Sequence, residues 1–176
     1  MMSVDTSNTY NKLWYARQLL YRIYDLKVMN EQQLRSTVFT YLLMKEYSIN
    51  ENTTIEELYN IKSRIEKEAY TEDYKVKALA LKKLDVLLTL IALRESENKQ
   101  ALSRLLVTNK LIDEGVIAYG NSSDSSNNND DNDRNKNKNI AYDITIDISK
   151  TMDNIARKKE ELEREIIELK KKQYYI

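Results

Sequence analysis

Lys99, Gln100, Ser103 and Lys110 share one side of KQALSRLLVTNKLIDE when that segment is wound as a helix, with Val107 among them and Arg104 at the edge. Cations and amide or hydroxyl donors at helical spacing suit contact with base edges and phosphates. An ordinary solvated surface is the competing account of the same residues. Enzyme chemistry has little to work with, because the chain holds no histidine and no cysteine. That excludes Ser-His-Asp triads, imidazole bases, thiolate nucleophiles, disulfides and His- or Cys-bound zinc. Carboxylates, lysines and tyrosines remain. From Glu46 to Asp73 eight acids stand against three bases, but cap and surface positions on helices account for them, and no calcium loop with its glycine appears. Two glycines in the whole chain cannot build a phosphate-cradling loop. The 13 tyrosines, with Trp14 and Phe39, read more simply as core or half-buried aromatics than as base stackers. No enzyme, metal or cofactor is expected.

The elements that must position these residues are mainly helical. Proline is absent and the glycines are Gly115 and Gly120, so helices are delimited by caps and by breaks in periodicity. Leu13, Ala16, Leu20 and Ile23 make one face of a first helix, broadened by Trp14, Tyr21 and Tyr24. Asn30 with Gln33 caps a second, whose stripe is Leu34, Val38, Tyr41, Leu42 and Met44. Thr53 or Thr54, followed by Glu56 or Glu57, opens a third with Ile55, Leu58, Ile61 and Ile65 inside. Thr71 with Glu72 and Asp73 opens a fourth, apolar nearly all round in its second half and therefore expected to be the most buried. The fifth, carrying Ala101, Leu102, Leu105, Leu106 and Ile112 opposite its polar side, ends at Gly115, a natural left-handed cap.

Beyond it, IAYDITIDI alternates, with Ile140, Tyr142, Ile144, Ile146 and Ile148 on one side. Strict alternation is the signature of a half-buried strand, and a strand needs a partner. Val116 to Tyr119 is the nearest apolar candidate, which makes an antiparallel hairpin with residues 121–139 as a disordered tip; a linker between two domains is the other reading. In residues 151–176, Met152, Ile155, Leu162, Ile166, Leu169 and Ile176 keep an alternating 3 and 4 register. Such a seam forms a short coiled coil joining two copies or binding a helical partner, with Ile155, Leu162, Ile166 and Leu169 at the contact, or lies back on its own domain. The expected divisions are an N-terminal helical region (1–73), a central domain with the hairpin (74–150) and a coiled-coil helix (151–176).

In this order, QALSRLLVTNKLIDEGVIAYG and IAYDITIDI resemble the recognition helix and returning wing strand of winged helix-turn-helix DNA-binding proteins of archaeal type with a C-terminal coiled coil. The resemblance implies a helical bundle with a winged-helix-like hairpin. It implies DNA as partner, with Lys99, Gln100, Ser103, Arg104 and Lys110 toward the major groove and Arg134, Lys136 and Lys138 of the wing toward phosphates or the minor groove. The expected function is a dimeric, non-enzymatic transcription regulator. A helical adaptor or structural subunit of a multiprotein assembly is the alternative. The formal charge, 28 basic against 28 acidic residues, favours that alternative because no overall field draws the chain onto DNA. No apolar run approaches the length needed to span a bilayer and the N-terminus lacks a leader pattern, so a cytoplasmic or nuclear location is expected, with no membrane partner.

Overall fold

A computed structural model describes residues 2–121 and 142–174. The chain is mainly helical, with a small antiparallel hairpin and a long C-terminal helix. Among the described residues the order is α1 (Met2–Lys27), α2 (Glu31–Glu46), α3 (Ile55–Glu68), α4 (Tyr74–Glu95), α5 (Lys99–Asp113), β1 (Tyr119–Asn121), β2 (Ile144–Ile146) and α6 (Ile148–Tyr174). None of these helices is long and apolar enough to cross a membrane.

Local chemistry sets the boundaries. The Asn30–Gln33 capping box is present in both directions, at 2.8 and 2.9 Å. At α3 the structure selects Thr54 and Glu57, while Thr53 is buried and its hydroxyl accepts from the Asn50 amide. Asp73, rather than Thr71, caps α4, accepting from the Lys75 and Val76 amides. The Thr71 hydroxyl sits one step back, accepting from the Asp73 amide. Three helices end alike: Ser48 after α2, Glu97 after α4 and Gly115 after α5 have positive φ of 52°, 54° and 81°. In each, the amide one residue on returns to a carbonyl of the last turn, as Val116 does to Leu111. Only the third of these sites carries the residue that adopts this conformation without strain.

The chain forms two compact units: Met1–Leu34, Val107–Ala118 and Ile146–Ile176 in one, Arg35–Leu106 and Tyr119–Thr145 in the other. These cut across the boundaries at 73 and 150 read from the sequence. The physical reason for the first unit is the α6 seam. Leu13 and Ala16 of α1 share a core with Ile166 and Leu169 of α6, and Lys159 stacks on the Tyr24 ring, so the two helices run antiparallel. Ala118 is tied to this unit by its amide, which donates to the buried Thr151 hydroxyl at 2.9 Å, and by its carbonyl, which accepts from Asp147.

In the second unit Leu43 and Met44 of α2, Leu58, Ile61 and Ile65 of α3, and Ala80, Leu87, Leu90 and Ile91 of α4 make one core. The second half of α4, apolar nearly all round and expected to make this the most buried helix, leaves Leu88 exposed, and Leu81 in the first half is exposed as well. The hairpin pairs the two segments that the sequence joins, but over three residues a side. The strand stops early because Asp147 caps α6, its carboxylate accepting from the Lys150 amide, so Ile148 is already helical. Val116 and Ile117 are buried without being strand residues. Ile140, Ala141 and the expected tip beyond Asn121 lie outside the described residues.

Candidate functional site

Four surfaces or clusters bear on function. The first is the polar side of α5. Lys99, Gln100, Arg104 and Lys110 are exposed and Ser103 is half-buried. Val107, which shares their side, is buried with Leu111 and Ile112. The row of donors is therefore interrupted where the sequence shows one continuous face. Asn98 caps the helix, its side chain accepting from the Ala101 amide, and the three residues Ser96 to Asn98 join α4 to α5. Lys99, Gln100, Ser103 and Arg104 belong to one unit and Lys110 to the other. Arg134, Lys136 and Lys138 lie outside the described residues.

The second is the α6 seam. Ile155, Leu162, Ile166 and Leu169 are all buried within the single chain. The surface that the sequence offers to a second copy is thus occupied by the chain's own residues, α1 contributing Leu13 and Ala16. The seam is real as a packing device; its partner for Ile166 and Leu169 is α1. Around it, Lys158 bridges Glu114 at 2.8 Å and Glu161 at 3.4 Å, which raises its pKa against the opposing effect of burial.

Sequence reasoning missed the third, a polar cluster inside the second unit. Lys83 of α4 is buried, its side chain only 4% exposed. Its ammonium lies 3.2 Å from Glu46, 3.6 Å from Glu68 and 3.4 Å from the Tyr47 hydroxyl. The rings of Tyr142 and Tyr47 cover it at 4.9 and 5.4 Å. Tyr47 donates to Glu68 and Tyr142 donates to Glu46, so both carboxylates are satisfied from two sides. Burial, followed by these carboxylates, pushes both phenols well above the ordinary tyrosine range, keeping them protonated donors. Tyr142 also packs against Phe39, the rings tilted by 54° with centroids 4.9 Å apart. An ammonium saturated by carboxylates and covered by rings is a pin: it holds the residue that leads into β2 against α2 and α4. No signal local in sequence could reveal it, since Glu46, Glu68, Lys83 and Tyr142 come from four separate segments.

The fourth is the outer face of α1. Trp14, Tyr21 and Tyr24, expected to broaden the buried stripe, are exposed instead, and Leu19 and Leu26 are buried in their place. Tyr10, Trp14, Tyr21, Tyr24 and Val28 are 61, 49, 55, 43 and 81% exposed. With Arg17, also exposed, Tyr10 to Tyr24 follow steps of 4, 3, 4 and 3 residues, which keeps them in one band along the helix, and Val28 comes 4 residues further on, just past the last helical residue Lys27. Leu13, Ala16, Leu19, Ile23 and Leu26 occupy the other side. The helix therefore carries two seams, one filled and one open except at Tyr24, where Lys159 of α6 covers one side of the ring.

Compared with protein-family models, curated proteins and solved structures, the chain matches none of them.

Proposed function

We infer that the protein is a non-enzymatic helical adaptor or structural subunit that binds protein chains through the outer face of α1. The observation that carries this reading is the open aromatic band from Tyr10 to Val28. Large contiguous apolar surface exposed to water is costly to keep, and where it is kept it marks an interface. Tyrosine and tryptophan are the side chains enriched at such contacts, because a rigid ring supplies area while the hydroxyl or indole N–H stays hydrated at the rim. Neutral formal charge agrees with a protein partner. The test compares tagged wild type with the Trp14→Glu/Tyr21→Glu double variant in the source cells. Chains that co-purify with wild type and are missing from the variant support the reading; identical sets remove it.

A second reading, a DNA-binding regulator of winged-helix type, is favoured by the short α4–α5 turn, the exposed Lys99, Gln100, Arg104 and Lys110, and the hairpin that follows. Its test is a salt titration, because each phosphate contacted steepens the loss of affinity with salt. Arg104→Glu with Lys110→Glu abolishes binding under this reading. Unchanged affinity in that variant, or no binding at low salt, removes it.

A further inference from the structure

We propose that the open seam of α1 pairs with the same seam of a second copy, antiparallel, to form a two-fold dimer. This rests on the reading of that face as a protein-binding surface and names its occupant.

The spacing is the first argument. Steps of 4 and 3 residues bring side chains to one edge every 3.5 residues, the period at which two helices keep facing each other along their length. Tyr10, Arg17 and Tyr24 take one core position of that repeat and Trp14, Tyr21 and Val28 the other.

Charge sets the direction of the pairing. A parallel pair sets Arg17 against its own copy, two like charges in one layer. An antiparallel pair centred between Arg17 and Tyr21 layers Tyr10 with Val28, Trp14 with Tyr24 and Arg17 with Tyr21 of the other copy. Each guanidinium then faces a tyrosine ring, a favourable cation–π contact. The residues flanking the core agree. Asn11 meets Asp25, Gln18 meets its own copy and half-buried Leu20 meets its own copy, with no like-charged pair. A closed two-fold interface uses one patch twice, as this band allows.

Area is the second argument. The exposed fractions of Tyr10, Trp14, Tyr21 and Tyr24, applied to aromatic side chains of about 150–250 Å², together with the smaller side chain of Val28, leave roughly 500 Å² per copy. Two copies remove about 1,000 Å² from water, the lower bound for a specific interface, so the dimer is of the transient, roughly micromolar class.

The chain has no cysteine, so single cysteines report geometry without background. The full chain is measured by sedimentation equilibrium from about 1 to 200 µM, the range that a weak interface of this size requires. The Trp14→Glu/Tyr21→Glu variant, altered only at exposed positions, is measured beside it, with its helical content checked by circular dichroism. Dimeric wild type, monomeric variant, self-cross-linking of Gln18→Cys, and cross-linking of Asn11→Cys to Asp25→Cys but not to itself are the expected results. Wild type that stays monomeric overturns the pairing, and the co-purification test then decides separately whether the band binds other chains. A dimer that survives the double variant overturns both. A dimer in which Asn11→Cys cross-links to itself overturns the antiparallel arrangement.

Discussion

Replacing Lys83 by methionine tests whether the buried cluster pins the second unit. Methionine keeps the unbranched stem that fills the space in α4 and removes only the ammonium. What is lost is a charge held by Glu46 at 3.2 Å and Glu68 at 3.6 Å and covered by the Tyr47 and Tyr142 rings. Removing one partner of a fully buried pair costs about 3–5 kcal/mol, because the remaining charge is left uncompensated. Here Glu46 and Glu68 are 24 and 45% exposed and keep their tyrosine donors, so water recovers part of that cost. Discounting for this screening leaves about 2–3 kcal/mol. Glu46→Gln leaves Glu68 in place and costs about 1 kcal/mol. Urea unfolding followed by circular dichroism reads both. Lys83→Met within about 0.5 kcal/mol of wild type, the range of an ordinary surface change, refutes the pin.

Three further outcomes follow from the packing, the caps and the tyrosines. Leu162→Ala, at a side chain 1% exposed in the α6 seam, lowers stability by about 2–4 kcal/mol, read by Trp14 fluorescence in the same unit during urea unfolding; a loss under about 1 kcal/mol contradicts a filled seam. Gly115→Ala meets no atom within 4 Å, so its whole cost is the positive φ of 81°, about 1 kcal/mol by thermal unfolding. A neutral result there contradicts the left-handed cap. Burial and adjacent carboxylates raise the Tyr47 and Tyr142 pKa values, so the folded chain keeps these protons after the unfolded chain has lost them. The stability involved is fully present below about pH 10 and drains away as pH rises beyond it. Wild type accordingly loses up to about 1.4 kcal/mol more than Tyr142→Phe between pH 10 and 11; equal alkaline losses contradict the shift.

Much of the fold is legible in the residues. Caps at Asn30–Gln33 and Thr54–Glu57, the left-handed Gly115 and the alternation around Ile144 all act over a few neighbours, and each is where its local chemistry puts it. The 3 and 4 register of α6 gives the buried side of that helix but not its partner, because a heptad seam pairs equally well with its own chain or another. On α1 the sequence holds more large side chains than one stripe can bury, and nothing in the period says which band turns inward. On α5 the buried Val107 sits among polar neighbours, so a two-way division into apolar and polar sides misplaces it. Lys83 is the deepest omission. Lysine is among the residues least often buried, and only partners brought together by the tertiary fold make its burial tolerable.

The most direct test of the α1 pairing is the mass of the unaltered chain in solution. Sedimentation equilibrium across concentration is expected to show a reversible rise from 20.8 kDa to twice that value, with the emission of Trp14 shifting to shorter wavelength as its ring leaves water. A mass that stays at 20.8 kDa up to about 200 µM, the reach of a weak interface, with unchanged Trp14 emission, contradicts it.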